Sequence, residues 1–242
     1  MKKLIIIAVF ITNILFAQDY TFESKENRVN IIELYTSQGC SSCPPADKWL
    51  SKLKEDPNLF KDFIPMAFHI TYWDFIGWKD IFAKKLHDNR QRYYSNKVWK
   101  KNSVYTPQFI INAKEYKRWF SNQSFPIFEN KYGGDLKVNF NNNKIKVSYF
   151  NKNIKNQKVY LNIGVLGFNY NIDIKRGENK YKTLEHDFVM LNHIQKFAEI
   201  KNNRLNINTN LLNIEKNTNK KALVIWLSNY DSDILQATGG YI

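Results

Sequence analysis

Residues 29–53 place a pair of cysteines between a predicted strand and a predicted helix. The run from Val29 to Tyr35 has the length and the apolar, β-branched composition of a buried strand. After Cys40 and Cys43, apolar residues recur at i, i+3, i+4 and i+7, as on the buried face of an amphipathic helix. These residues are Ala46, Trp49, Leu50 and Leu53. A strand, a cysteine turn and a helix in this order favour an α/β arrangement with the cysteines at a strand end.

Further strands and a second helix are predicted in the first half of the chain. Apolar runs at Phe63–His69 and Gln108–Ile111 have strand length. Phe82, Leu86 and Tyr93 indicate a helical stretch between them. Alternating strands and helices are typical of a sheet with a parallel core.

The position of the cysteines predicts that the two thiols are chemically unequal. A thiol just before a helix receives the positive end of the helix dipole and nearby backbone N–H groups, which favour the thiolate. We therefore expect Cys40 to attack in disulfide exchange and Cys43 to resolve the mixed disulfide.

The spacing of the two cysteines by itself is also compatible with a metal site or an inert disulfide bridge. Because so short a ring restrains little chain entropy, a purely stabilising bridge is poorly motivated. Proline is tolerated in a first helical turn, so the helix is expected to begin at Pro44.

The first residues of the chain have the organisation of a secretory signal peptide. A pair of lysines precedes an apolar run from Leu4 to Phe16, and the small residue Ala17 comes before polar residues. The apolar run is shorter than the roughly 20 residues that a membrane-spanning helix needs. We therefore expect removal of residues 1–17, a mature chain that begins near Gln18, and a periplasmic or secreted protein without stable membrane insertion.

The chain is strongly basic. Its formal net charge of +14 falls by two, to +12, when Lys2 and Lys3 are removed with the leader. Clustered positive charge can bind nucleic acid or another polyanion, but the lysines here are scattered among asparagines, as on solvated strands and loops. We expect no nucleic-acid partner, and an acidic envelope polymer stays open as an anionic ligand.

The pattern changes after Gly133-Gly134 from alternating strands and helices to strands alone. The stretch LKVNFNNNKIKVSYF predicts a hairpin around an asparagine turn. More strands are indicated at 159–165 and 222–227, with another around Leu205 and Ile207. A sandwich-like β-rich domain is the simplest expectation. The expected division is a signal peptide at 1–17, an N-terminal extension at 18–27, an α/β domain at 28–132 and a β-rich domain at 133–242.

The segments ELYTSQGCSSCPPAD, AFHITYWDFIGWKD, SVYTPQ and RGENKYKTLEHDFV follow one another behind the leader. Together they resemble the exported family known as domain of unknown function 1223, over nearly the whole mature chain. The resemblance implies a thioredoxin-like N-terminal domain and a β-rich C-terminal portion, without an established substrate. Thioredoxin-like proteins carry a cis-proline beside the cysteines, so we expect a cis bond at Thr106-Pro107. These two residues would shape the substrate groove.

Glu33 lies within an otherwise apolar strand, where a carboxylate is costly without a partner or a role. Thioredoxins keep a buried acid in the equivalent strand that takes the proton of the resolving cysteine. Glu33 would be this proton acceptor, although it lies one residue further from its cysteine than in that pattern. The alternative is a structural hydrogen bond to the backbone or to a neighbouring tyrosine.

A candidate binding cleft follows the second predicted strand. His69 ends that strand, and Trp73, Asp74 and Trp78 follow in a loop of the kind that binds ligands in such folds. We expect these three loop residues to contact substrate. His69 could complete a copper site with the two cysteines, and a packed, hydrogen-bonded histidine is the alternative. His186, Asp187 and His193 also suggest a metal site, but a fourth ligand is missing and structural roles are favoured.

The leading prediction is an exported thiol–disulfide oxidoreductase that uses Cys40, Cys43 and Glu33. Its partners would be protein thiols or disulfides in the cell envelope, and no cofactor is implied. A non-catalytic binding module with a static disulfide is the first alternative. A copper-handling protein, with Cys40, Cys43 and His69 as ligands, is the second. The sequence contains no nucleotide-binding glycine fingerprint and no serine-nucleophile motif.

Overall fold

The computed structural model describes residues 19–122, 125–126, 128–211 and 220–242, so the predicted signal peptide lies outside the described residues. The strands are β1 (Tyr20–Glu23), β2 (Asn30–Thr36), β3 (Phe63–His69), β4 (Gln108–Ile111), β5 (Lys114–Glu115), β6 (Asp135–Asn141), β7 (Lys144–Phe150), β8 (Gln157–Gly167), β9 (Tyr170–Asp173), β10 (Thr183–His186), β11 (Val189–Ile200), β12 (Arg204–Asn210), β13 (Lys221–Ser228) and β14 (Ile234–Tyr241). The helices are α1 (Pro44–Ser51), α2 (Lys85–Tyr93) and α3 (Trp119–Asn122), with 3₁₀ turns at Lys52–Glu55 and Asp74–Ile76 and a π-helical turn at Tyr94–Val98. Within the described ranges, no helix is both long and apolar enough to cross a membrane.

Eight strands from both halves of the chain form one sheet, in the order β14-β13-β8-β11-β3-β2-β4-β5. β2 and β3 are parallel over their full length. β11 joins the other edge of β3 in parallel, through the pair Val189 and Ala67. β4 pairs with β2 in the antiparallel direction, and so do β8 with β11 and β13 with β8. The sheet is therefore mixed, and β2 and β3 lie in its interior.

The predicted fold class, an α/β thioredoxin-like domain followed by a β-rich domain, is wrong. The structure is mostly β, with 45% of the described residues in strands and 15% in helices, and it contains several sheets. The physical reason is non-local pairing. One edge of β3 pairs with β11, which lies more than a hundred residues later in the chain. Hydrophobic periodicity does not predict which distant strand will pair with a given edge. The boundary at 132/133 stays a prediction, and strands from both sides of it share the large sheet.

A second sheet of four strands, in the order β1-β6-β7-β12, covers one face of the large sheet. The predicted hairpin around asparagines is confirmed as β6 and β7. Asn142 and Asn143 have φ values of 47° and 64° at its turn, a conformation that asparagine tolerates better than most residues. Side chains from the two sheets form one apolar cluster, in which Val138, Val147 and Ile225 are fully buried. This cluster is the core of the second half.

Helix α2 is confirmed, but its predicted apolar face is wrong. Leu86 and Tyr93 are 51% and 43% exposed. Polar side chains are buried instead: Asp88 accepts hydrogen bonds from the backbone N–H and the hydroxyl of Thr71 at 2.8 and 2.6 Å. The helix therefore anchors the loop after β3 through hydrogen bonds, which a search for apolar periodicity does not detect.

Strands β9 and β10 form a separate antiparallel hairpin that packs against α1. Exposed and buried positions alternate along β10, so Leu184 and His186 point inward while Thr183 and Glu185 face solvent. Residues 174–182 connect the two strands. This hairpin brings part of the second half to the cysteine turn.

Candidate dithiol site

The two cysteines lie in the turn between β2 and α1. β2 ends at Thr36, and α1 begins at Pro44, as predicted. Cys40 and Cys43 are free thiols with relative exposures of 1% and 0%. The two serines between them are exposed. Cys40 therefore lies just below the surface of the turn, and Cys43 lies deeper.

The surroundings of Cys40 favour its thiolate. The hydrogen bond with the Cys43 thiol has the largest effect, and together with the Ser42 and Thr106 contacts it lowers the pKa of Cys40 to about 6 against the opposing effect of burial. The Cys40 Sγ lies 3.3 Å from the Ser42 hydroxyl oxygen and 3.8 Å from the Thr106 carbonyl oxygen. At neutral pH Cys40 is therefore largely ionised.

The pKa of Cys43 moves in the opposite direction. Burial is the main cause, and the hydrogen bond to Cys40 and the negative charges of Cys40 and Asp47 add to it. The pKa of Cys43 is raised well above its ordinary value, so this thiol keeps its proton while Cys40 is ionised. The turn therefore holds one thiolate and one thiol.

A carboxyl group that sequence reasoning did not single out acts electrostatically on Cys43 from the first turn of α1. Asp47 follows Cys43 by four residues on α1, is 6% exposed, and accepts a hydrogen bond from the Thr36 hydroxyl at 2.9 Å. Burial raises the pKa of Asp47 to about 7, against the lowering effects of His69 and the Thr36 hydroxyl. A carboxyl with this pKa can take up and release a proton near neutral pH. The four-residue spacing puts Cys43 and Asp47 on one helix face, a signal that the sequence did contain.

Glu33 is buried, but its carboxylate is directed to Arg90. The Arg90 Nε and Nη2 donate to its two oxygens at 2.8 and 2.7 Å. The hydroxyls of Tyr35 and Tyr94 donate to the same carboxylate at 2.8 and 2.6 Å. The described hydrogen bonds of Glu33 include none to a cysteine and agree with the structural interpretation. Asp47, rather than Glu33, is the carboxyl group whose charge acts on the resolving thiol.

The Thr106–Pro107 peptide bond is cis, as expected, and lies directly before β4. The Thr106 carbonyl contacts the Cys40 sulfur, and its hydroxyl accepts a hydrogen bond from the Trp73 indole at 2.7 Å. Pro107 is buried beside them. The structure therefore brings together Cys40, Thr106 and Trp73.

Trp78 and Asp74, the other two residues of the predicted cleft, bind different partners from Trp73. The Trp78 indole donates to the side chain of Gln38 at 2.9 Å, two residues before Cys40. The carboxylate of Asp74 accepts the backbone N–H of Asp80 at 3.2 Å, and burial raises its pKa. Trp78 therefore supports the cysteine turn, while Asp74 shapes the loop that carries the two tryptophans.

The loop at 174–182 contacts the cysteine turn from the second half of the chain. Asn179 is fully buried and donates to the backbone carbonyls of Gln38 and Cys40 at 3.0 and 2.9 Å. The Glu178 carboxylate accepts the backbone N–H of Ser41 at 3.0 Å. Sequence reasoning missed both residues, because nothing in a local pattern tells which distant turn a loop will contact.

The copper interpretation finds no geometric support. The His69 Nδ1 lies 2.7 Å from the Asp80 carboxylate, whose charge and hydrogen bond outweigh the effect of burial and raise the pKa of His69. Throughout the described part of the chain, no three His, Cys, Asp or Glu side chains are grouped so that they could hold a metal ion. The residues of the second suggested metal site have separate structural partners. Asp187 pairs with Lys54 at 2.8 Å, His193 stacks on Trp226, and the His186 ring contacts the His69 ring.

These features define a class of mostly β proteins. Its members hold two nearly buried thiols of different pKa between an interior strand and a short helix. Comparison with known families then assigns the chain. The family described as "Protein of unknown function (DUF1223)" matches residues 31–228, and the chain belongs to that family. No curated protein matches it.

Two solved structures are similar to this chain. One is the crystal structure of a protein from Agrobacterium tumefaciens, 21% identical, with a TM-score of 0.62 over 88% of this chain and 94% of that one. The other is HBP35 of Porphyromonas gingivalis, 11% identical, with a TM-score of 0.62 over 90% of this chain and 76% of that one. At these identities the similarity shows the fold alone.

Proposed function

We propose that the protein is an exported thiol–disulfide oxidoreductase that acts on protein partners in the cell envelope. The observation that carries the proposal is a pair of free thiols in one turn, in which the Cys40 sulfur contacts the Ser42 hydroxyl and the Thr106 carbonyl while Cys43 lies deeper. The pKa of Cys40 is lowered to about 6, and that of Cys43 is raised well above its ordinary value. A nucleophilic thiolate beside a protonated resolving thiol is the arrangement that stepwise disulfide exchange uses.

The exchange proceeds in two steps. The Cys40 thiolate attacks one sulfur of a partner disulfide, which forms a mixed disulfide and expels the other partner sulfur as a thiolate. Cys43 then gives its proton to the Asp47 carboxylate and attacks the Cys40 sulfur. This step closes the Cys40–Cys43 disulfide and releases the second partner thiolate. The partner gains two electrons, and a dithiol reductant of the same compartment returns the protein to its reduced form; the reverse sequence oxidises a partner dithiol.

Exposed apolar side chains near the cysteine turn support a protein partner. Phe75 is 80% exposed and stacks on Trp73, and Tyr181 in the 174–182 loop is 85% exposed. Large exposed apolar groups are typical of protein-binding surfaces. Because Cys40 is only 1% exposed, we expect partner binding to displace Trp73 from its hydrogen bond with Thr106.

Trapping of mixed disulfides tests the proposal. A Cys43→Ser variant should accumulate covalent partners through Cys40 in an envelope extract, because the resolving thiol is missing. The matched Cys40→Ser variant should trap few. Alkylation of the reduced parent should modify Cys40 first across neutral pH. Equal alkylation of both cysteines, together with an empty trap, would favour the static-disulfide module.

Export rests on the leader alone. If residues 1–17 are a signal peptide, mass spectrometry of protein recovered from outside the cytoplasm should give an N-terminus near Gln18. Recovery of exported protein that retains Met1 would refute cleavage.

A further inference from the structure

A cavity of about 370 Å³ lies between helix α2 and strands β8 and β11 of the large sheet. Arg90 and Tyr93 line it from the helix, and Tyr160 and His193 line it from the two strands. Pockets that bind small molecules have volumes of roughly 300–1,000 Å³. The cavity therefore has the size of a small-ligand site, and neither cysteine is among the residues that line it.

The walls of this cavity are aromatic and partly open to solvent. Tyr93 is 43% exposed, and its hydroxyl donates to the backbone carbonyl of Tyr230 at 2.7 Å. The Tyr160 and Tyr230 rings are in edge contact, with their centroids 5.1 Å apart. Leu86, which also lines the cavity, is 51% exposed. Exposed apolar side chains grouped around a cavity are typical of ligand-binding sites.

Arg90 provides a hydrogen-bond donor that the protein does not use. Its Nε and Nη2 donate to the Glu33 carboxylate, and Nη2 also donates to the Tyr94 hydroxyl. Nη1 has no hydrogen-bond partner among the described residues, and it keeps accessible surface. The Arg90 side chain as a whole is 12% exposed. Because each terminal nitrogen of a guanidinium carries two N–H groups, Nη1 can donate to a ligand.

His193 provides an acceptor in the same cavity. Its Nε2 lies 3.1 Å from the side-chain oxygen of Asn162, which can only accept, so Nε2 carries the ring proton. Burial and the charge of Arg90 hold the pKa of His193 well below its ordinary value, so the ring is neutral and Nδ1 is an acceptor. Nδ1 has no partner among the described residues and also keeps accessible surface. Arg90 and His193 both contact the Trp226 ring, at 5.6 and 5.1 Å from its centroid.

The polar groups of the cavity carry little net charge. The Glu33 carboxylate lies 2.7 Å from Nη2 of Arg90 and balances the guanidinium, while His193 is neutral. A ligand anion would therefore gain little there, and a ligand cation would face the guanidinium. An uncharged ligand with one acceptor and one donor fits these groups best.

We propose that this cavity binds a small, uncharged aromatic compound that carries a primary amide or a lactam. The aromatic ring packs against Tyr93 and Tyr160. The carbonyl oxygen accepts a hydrogen bond from Nη1 of Arg90, and the N–H on the same edge donates to Nδ1 of His193. This ligand site goes beyond disulfide exchange, because it uses neither thiol.

Three probes with one ring system and different charges test the ligand class. 2-Naphthamide has the required ring, carbonyl and N–H, 2-naphthoate replaces the amide by a carboxylate, and 2-naphthylmethylammonium replaces it by a cation. Titration of the reduced protein, followed by saturation-transfer NMR, should show saturable binding of the amide and about tenfold weaker binding of the two ions. Absence of saturable amide binding, or equal or tighter binding of either ion, overturns the proposal.

Matched substitutions test whether the amide binds in this cavity. Asn89→Trp introduces a large ring from an exposed position that lines the cavity, and Asn96→Trp makes the same change at an exposed position that does not. We expect Asn89→Trp to weaken 2-naphthamide binding about tenfold or more and Asn96→Trp to leave it unchanged. His193→Phe keeps a planar ring and removes the acceptor, so it should weaken the amide about tenfold.

A further variant keeps the test decisive if Asn89→Trp or His193→Phe fails to fold. Gln195→Trp introduces the large ring from an exposed position on β11, on the opposite wall of the cavity, and should cause the same loss of binding. Parental affinity for 2-naphthamide in the folded tryptophan variants of the cavity overturns the proposal. An equal loss in Asn96→Trp also overturns it, because the binding would then not depend on the cavity.

Discussion

Replacing Asp47 by asparagine should make the reduced protein more stable at alkaline pH. The pKa of this carboxyl is raised from 3.8 to about 7, chiefly by burial. At about 1.4 kcal/mol per pKa unit, ionising Asp47 in the folded protein costs about 4 kcal/mol more than in the unfolded chain. Asparagine keeps the shape and an acceptor for the Thr36 hydroxyl, but it carries no charge to bury.

The pH window follows from the direction of the shift. Because the folded state binds the Asp47 proton more tightly than the unfolded state, the stability of the parent falls as pH rises from about 4 to about 7 and is level beyond that. The Asp47→Asn variant lacks this loss. Its advantage in the free energy of unfolding should therefore be near zero below about pH 4 and reach about 4 kcal/mol above about pH 7.

Urea denaturation of the reduced proteins across this pH range measures the difference. Asp80→Asn is the matched control, because His69 and two backbone N–H groups hold the pKa of Asp80 below its ordinary value despite burial. That variant should lose stability above the ordinary carboxyl pKa, the opposite sign. If Asp47→Asn shows the same difference from the parent at acid and alkaline pH, the buried carboxyl is not ionising as described and its role as proton acceptor fails with it.

Two further variants test contacts between distant parts of the chain. Asn179→Ala should destabilise the protein by about 2–3 kcal/mol in urea, because the buried carbonyls of Gln38 and Cys40 lose their donors; a cost near zero would show that these two hydrogen bonds do not stabilise the turn. Arg90→Met should cost about 3–5 kcal/mol by leaving the Glu33 carboxylate unpaired, and the double variant Arg90→Met with Glu33→Met should recover much of that loss. No recovery would show that Arg90 acts through packing rather than through this ion pair.

Local structure was accessible from the sequence where a single segment decides it. β3 is observed at Phe63–His69 and β4 at Gln108–Ile111, the ranges predicted from apolar runs of strand length. The helix start at Pro44 follows from the chemistry of proline, and the cis bond before Pro107 was expected from a proline placed before a strand together with the family resemblance. Such features depend on the sterics and burial of neighbouring residues, so a short window contains the necessary information.

Features that depend on distant residues were not accessible. The predicted α/β fold class was wrong because β11 pairs with β3, and the apolar run of β3 fits either an edge or an interior strand. Asn179 was missed because its acceptors lie about 140 positions earlier in the chain. Glu33 was correctly placed in a buried strand, but its partner Arg90 comes from α2, a helix whose buried face is polar. Long-range pairing, and not local propensity, settles these positions.

The place of β3 between β2 and β11 constrains how this protein can be divided for experiments. A fragment that ends at residue 132 would keep β2, β3 and β4 but would remove β11. The backbone N–H and C=O groups along that side of β3, which pair with β11 near Val189 in the intact chain, would then form an open and strongly apolar edge. Exposed edges of this kind recruit other chains. Recombinant expression of the cysteine-containing half alone should therefore yield insoluble material, and biochemical work on the dithiol needs both halves in one polypeptide.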